Sequence, residues 1–288
     1  MFGMRIGLWL VCFVFSFFFC GAAMPAPTTT TLSFGLSLSD RIDTIWKGEQ
    51  LATHGCYGLT ITDKDDTLLP FLRSCAKEDK TAVVTLRSQN DETFPSLEKL
   101  HALANQFDQA QGDVYVNLYP YTPSLAKNRL VYQANWAQAA AIFRQEAPSV
   151  QLIWSLPAAD VQYAFSLAPK ESDYDLLGLS CHGTPKEVSL QLPFALQFLS
   201  LQSQKPLAVS SLGISHYETG THCYTIEEAA KALQTVYASC RSIPSLRLLL
   251  YDNTDHTVAL PPGVTASNYA ISSDETLRRS YKQALQTH

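Results

Sequence analysis

A chain of 288 residues, 46 % of them apolar, has enough material to bury one large core without disulfide staples. Its formal charge of −5, with no arginine-rich run, excludes nucleic-acid binding as the main role. Beyond residue 23 the cysteines are Cys56, Cys75, Cys181, Cys223 and Cys240, an odd set without a CxxC pair, so neither a disulfide framework nor a zinc ribbon is expected.

Residues 1–23 differ from the rest. Arg5 precedes an almost unbroken apolar run over 6–19, and Gly21-Ala22-Ala23 supplies the small residues of a cleavage site. This is the layout of a secretory signal. The apolar run is shorter than the roughly 20 residues of a spanning helix. Export is therefore expected, and an uncleaved segment would be the one route to a membrane. Residues 24–30 read as a linker and 31–288 as a single folded domain.

From residue 31, short apolar runs alternate with amphipathic stretches. The first strand is predicted over 31–36, followed by a helix over 40–51 with Ile42, Ile45 and Trp46 on one face and Asp40 as N-cap. A strand over 57–62 and helix over 67–77 come next, then a strand over 82–86 and helix over 95–107. The fourth strand, 113–119, leads through a polar loop to a helix over 132–146. Strands over 151–155 and 176–180 are followed by helices over 161–167 and 190–201. The last two units pair strands over 206–211 and 246–251 with helices over 226–240 and 274–285. Apolar strands strictly alternating with helices indicate parallel pairing through βαβ crossovers. Eight such units predict a closed (β/α)8 TIM barrel. An open doubly wound sheet is the rival, but no G-x-G-x-x-G turn follows the first strand.

In such barrels chemistry sits at the C-terminal ends of the strands. Those ends hold Asp63, Asn117, Tyr119, Tyr121, Trp154, Cys181, His182, Ser211, His216, Glu218, Tyr251 and Asp252. Several aromatics among scattered polar groups suit a sugar, whose faces stack on rings while its hydroxyls take hydrogen bonds. Tyr119, Tyr121 and Trp154 are the expected stacking residues, unless Trp154 fills the barrel interior. Asn117, His182, His216 and Tyr251 complete the expected binding set. Cys181, His182, His216, His222 and Cys223 carry soft ligand atoms, but nothing in their spacing demands a metal, and no cofactor is expected. Bridges between Cys181 and Cys223, or Cys56 and Cys75, remain open on sequence grounds.

Four segments in order, 113–121 (DVYVNLYPY), Ile153-Trp154-Ser155, 172–180 (SDYDLLGLS) and 205–213 (KPLAVSSLG), resemble glycoside hydrolase family 26, the β-mannanase-like barrels. The most specific parts are the strand-six segment, similar to that family's D-Y-V-D-x-V-G block, and the Lys-Pro that opens strand seven. The resemblance implies a retaining mechanism with one glutamate after strand four and one after strand seven. Aligned on the strands, Tyr121 stands at the acid/base position, Ser211 at the nucleophile, Asn117 at an arginine and Pro120 at a histidine. Retention needs two carboxyl groups about 5–5.5 Å apart. A tyrosine and a serine cannot replace them as a pair, and no G-x-S-x-G elbow or evident base activates the serine. The resemblance thus leads to a degenerate barrel that binds a β-linked polysaccharide without cleaving it. The alternative is a glycosidase with relocated carboxylates, Glu218 and Asp252. A structural role for the outer surface is a third reading.

Overall fold

The computed structural model describes residues 32–37, 44–62, 67–88, 93–258, 260–261 and 263–286, with the backbone alone over 44–47. The expectations for residues 1–31 and for Asp63 lie outside this set.

The strands are β1 (Ser33–Ser37), β2 (Cys56–Thr62), β3 (Thr81–Arg87), β4 (Val114–Leu118), β5 (Gln151–Pro157), β6 (Leu176–Gly183), β7 (Leu207–Ile214), β8 (Tyr217–Glu218), β9 (Cys223–Tyr224), β10 (Leu246–Asp252) and β11 (Ser267–Asn268). β1 to β7 and β10 close into a barrel in chain order, β1 pairing with both β2 and β10, and all its pairs are parallel. The helices are α1 (Thr44–Leu51), α2 (Leu68–Lys77), α3 (Leu97–Asp108), α4 (Arg129–Glu146), α5 (Val161–Phe165), α6 (Pro185–Gln202), α7 (Ile226–Arg241) and α8 (Glu275–Gln286). The expected (β/α)8 barrel is what forms.

Two apolar clusters follow from strand geometry, in which alternate side chains face opposite sides. Cys56, Val83, Ile153, Leu176, Ala208, Leu248 and Leu250 make the smaller one, inside the barrel. Their chain neighbours, such as Tyr57, Val84, Leu152, Trp154, Leu177 and Leu249, pack outward in the larger cluster with the helices. Strands buried on both faces must be apolar throughout, which is why they read as continuous runs.

Several boundaries differ from the sequence expectation, each for a local reason. Helix α4 begins at Arg129 because the Asn128 side chain caps it, accepting from Leu130 N and Val131 N. Helix α6 begins at Pro185, well before residue 190. Thr184 and Glu187 form a reciprocal capping box there, and Pro185 occupies the first turn. Strands β6 and β7 continue past 180 and 211 because Cys181, His182 and Gly183 pair with Leu212, Gly213 and Ile214. A small antiparallel sheet in the order β11-β8-β9 was not foreseen. All five described cysteines are free thiols, so neither considered bridge exists here. Cys223 is exposed on β9, whereas burial pushes the buried Cys56, Cys75, Cys181 and Cys240 thiols up to about 12.

At the opposite end from the strand exits, a buried polar knot ties β2 to α1 and α8. The Tyr57 hydroxyl donates to Glu49 Oε1 at 2.7 Å, so its oxygen is left to accept from His54 Nδ1 at 3.2 Å. His54 Nε2 then accepts from the Tyr281 hydroxyl at 3.0 Å. Lys80 Nζ donates to the His54 carbonyl at 2.7 Å and pairs with Glu49 at 3.2 Å. His54 is only 1 % exposed and both ring nitrogens are engaged in the neutral form. Burial, partly opposed by Glu49, pushes its pKa down from 6.5 to about 4. The unfolded chain therefore takes the proton first as pH falls. The contribution is complete above the unfolded pKa and is lost as pH drops from 6.5 towards 4, an effect of about 3 kcal/mol. Urea unfolding across this window should show that loss, and His54→Asn should flatten it; an unchanged slope in the variant would refute the assignment.

Candidate functional site

Where the barrel strands end, their inward side chains change from apolar to polar and enclose a cavity of about 300 Å³. Hydroxyls of Thr60, Thr85, Ser155, Ser180, Ser210 and Ser211 line it, with Arg87, Asn117 and His182. Tyr119 and Tyr121 close one side. No Asp or Glu lines it among the described residues.

On the β3–β4–β5 wall a polar ladder crosses the strands. Ser155 Oγ donates to Asn117 Oδ1 at 2.7 Å, and Asn117 Nδ2 donates to Thr85 Oγ1 at 3.3 Å. The buried amide is thereby fixed in orientation, and its second Nδ2 hydrogen remains available to a ligand. Tyr119 follows β4 with a φ of +43°, a left-handed conformation unusual for a bulky side chain, and its ring lies 5.3 Å from that of Phe94. Tyr121 is anchored by its backbone N–H, which donates to Ser155 O at 2.8 Å. Burial, with smaller contributions from Tyr163 and Asp160, raises its phenol pKa, so the hydroxyl stays protonated.

Strand β7 carries an irregularity that builds the other wall. Val209 pairs with Leu179 of β6 and Ser211 with the very next residue, Ser180. On the other side Val209 pairs with Leu249 of β10 and Leu212 with Tyr251. Beyond Val209, β7 thus holds one more residue than either neighbour, a β-bulge at Ser210–Ser211. A regular strand would send these two serines to opposite faces. The bulge lets both line the cavity. Ser210 is tied down by donating to Leu179 O at 3.1 Å. Ser211 Oγ is hydrogen-bonded with His182 Nε2 at 2.9 Å.

His182 leads to a charged cluster on the rim. Its Nε2 lies 3.4 Å from Asp252 Oδ2, and His256 Nε2 lies 3.3 Å from the same oxygen. Burial alone would raise the Asp252 pKa. Hydrogen bonds from His182, His256 and Thr254 outweigh it and hold the carboxyl well below the usual range, so it is an anion. In return the Asp252 bond raises the His256 pKa. The Tyr269 ring sits 5.4 Å from His182 and 5.6 Å from His256. Gly213 makes room for this arrangement: a Cβ there would come within 2.5 Å of His182 Cδ2 and 3.0 Å of the Tyr269 ring.

The structure gathers Asn117, Tyr119, Tyr121, His182 and Ser211 at one cavity, and sets the other expected site residues elsewhere. Trp154 is fully buried on the outer face of β5, donating Nε1–H to the Tyr132 hydroxyl at 2.8 Å and packing 5.7 Å from Tyr174. It offers no face to a sugar and does not fill the barrel interior either. Tyr251 is likewise buried, its hydroxyl donating to Tyr269 O at 3.1 Å. His216, 4 % exposed, is bonded to Ser273 Oγ at 3.2 Å and lies outside the cavity lining. Glu218 lies on β8 between β11 and β9, and neither it nor Asp252 lines the cavity. Among the described residues no group of three or more His, Cys, Asp and Glu is arranged to hold a metal ion. Arg87, Ser210, His256 and Tyr269 escaped the sequence reading. Ser210 sits in the very stretch that marked strand seven, and His256 stands four residues past Asp252.

Two outcomes follow. Trp154→Ala should cost about 3–5 kcal/mol in chemical denaturation, the range for deleting a large buried aromatic; a loss below 1 kcal/mol would place the ring outside the core. Asp252→Asn should return the His256 pKa towards 6.5 in an NMR titration, because the main cause of its rise is removed.

No protein-family model matches this chain, and no curated protein does. Solved structures do share its fold. A family 26 β-mannanase from Bacteroides ovatus superposes with a TM-score of 0.65 at 12 % identity, covering 90 % of this chain and 89 % of its own. One of two fungal β-1,4-galactanases gives 0.62 at 11 % identity over 87 % and 94 % of the two chains. Xylanase 10B from Thermotoga maritima gives 0.60 at 9 % identity over 90 % and 96 %. At such identities the likeness is one of architecture. The chain is a (β/α)8 TIM barrel, similar in fold to solved structures of the family its strand motifs resemble.

Proposed function

We propose that the protein is an exported carbohydrate-binding barrel, which holds a unit of a β-linked polysaccharide in the mouth cavity and leaves the glycosidic bond intact. The observation that carries this reading is the pair Tyr121 and Ser211, lining the cavity just after β4 and on β7, at the two positions where the family resemblance sets the carboxylates that a retaining glycosidase needs. A neutral phenol cannot serve as the carboxylic acid, and Asp252, an anion already engaged by His182 and His256, has no proton to give a leaving group. What remains is suited to recognition. Hydroxyls, one amide and two tyrosines surround about 300 Å³, at the lower end of the roughly 300–1,000 Å³ of small-molecule sites. The mannanase, galactanase and xylanase neighbours suggest the class of glycan. Export rests on the layout of residues 1–23. An uncleaved segment would tether the barrel to a membrane, and no nucleic acid is a partner.

Calorimetry with mannan, xylan and galactan oligosaccharides, run beside a reducing-end assay, tests this. Saturable binding to at least one, weakened tenfold or more by Asn117→Ala (about 1.4 kcal/mol), and no new reducing ends are expected. Reducing ends abolished by Asp252→Asn or Glu218→Gln would instead establish a glycosidase with relocated carboxylates.

A further inference from the structure

We propose that Ser211 and His182 form a nucleophile–base pair that hydrolyses small acyl esters in the mouth cavity. The sequence offered Ser211 without a base; folding brings one across from the neighbouring strand. His182 and Ser211 come from β6 and β7, and their contact is 2.9 Å, within the reach required of an activated nucleophile. Three further features hold the pair in place. The bulge turns Ser211 into the cavity, the missing side chain at Gly213 leaves space for the imidazole, and the Tyr269 ring packs against it.

The chemistry balances without any added reagent beyond water. Ser211 Oγ attacks the ester carbonyl and its proton passes to His182 Nε2. The imidazolium so formed lies 3.4 Å from the Asp252 carboxylate, which stabilises it. The carbonyl–alkoxy bond breaks as Nε2 returns the proton to the departing alcohol. A water then loses a proton to Nε2 and attacks the acyl carbon, and the Oγ–acyl bond breaks with Oγ recovering the proton. One feature departs from a Ser-His-Asp triad: the carboxylate approaches the nitrogen that meets the serine, not the opposite one. In the resting ring it therefore draws the proton towards Nε2 and reduces the fraction of activated serine. Turnover should be slow beside that of a full triad.

With a sugar unit sharing the cavity of about 300 Å³, the space left suits a short acyl group, acetyl first. Assigning the alcohol as a sugar, and so the substrate as an O-acetylated glycan, rests on the carbohydrate-binding reading; the nucleophile does not. The test uses the full-length protein with a fluorophosphonate probe, p-nitrophenyl acetate and acetylated xylan. Expected results are a single probe adduct on the Ser211 peptide by mass spectrometry, acetate release from both esters, and loss of adduct and release in Ser211→Ala. His182→Gln should slow labelling at least a hundredfold, and Gly213→Ala should slow it while leaving the protein folded by circular dichroism. An unlabelled wild type, or an adduct that persists in Ser211→Ala, overturns the pair. Hydrolysis of p-nitrophenyl acetate with no acetate from the xylan keeps the pair and overturns the sugar-ester assignment.

Discussion

Closure of the barrel is the constraint on which everything else depends. Eight parallel strands joined in a ring have no free edge, so each side chain faces either the helices or the narrow interior. The inward column of each strand can be followed upward. It runs Val83, Thr85, Arg87 on β3; Tyr115, Asn117 on β4; Ile153, Ser155 on β5; and Leu176, Gly178, Ser180, His182 on β6. Each column begins apolar and ends polar. Low in the barrel Val83, Ile153 and Leu176 are almost wholly buried, and a polar group in their place would be stranded without partners. At the exit the strands separate from packing and the same columns become the walls of a site.

The closed ring also explains why one extra residue in β7 matters. In an open sheet a bulge bends a strand; in this ring β6 and β10 both pair with β7 on either side of the surplus residue, which is absorbed in place, while β10 carries an extra residue of its own lower down, between Leu246 and Leu248. Here it is absorbed at Ser210–Ser211, after which Leu212 again faces outward and Gly213 faces His182. Without the extra residue Leu212 would take the inward place, and neither the Ser211–His182 contact nor the space beside Gly213 would exist. The stretch 205–213 is thus an apolar strand whose geometry changes at its two serines.

The existence and order of all sixteen barrel elements were legible because apolar runs and helical periodicity repeat eight times at short spacing. Element ends were less so, since caps decide them: Thr184 and Glu187 are a readable signal, whereas Asn128 is recognised as a cap only once its contacts are known. The direction of Trp154 was not legible. In 152–156 every residue is buried, so no polar alternation reveals which face is which, and a one-residue slip exchanges core for site. Reading two residues down from the polar exits, as from Ser155 to Ile153, would have placed Trp154 on the helix side. His256 and Tyr269 were hidden for another reason: they come from the segment after β10, where Asp255 bridges Asn268 and Tyr269 N–H donates to Thr254 O, with β11 held in turn by β8.

Electrostatics decides what kind of site this is. A retaining glycosidase keeps one carboxyl protonated and one free, which requires two environments that push their pKa values apart. Asp252, the acid that meets His182 and His256, is doubly bonded by them and held ionised, so its charge is spent on orienting imidazoles. A carboxylate so placed can do chemistry only through its partners. His182 is the partner that also reaches the cavity, and what it touches there is a serine hydroxyl. The physical route from Asp252 to any bound molecule therefore runs through an imidazole and an alcohol. That route favours attack by the alcohol on an acyl carbon, with the imidazole carrying the proton, over displacement at an anomeric one.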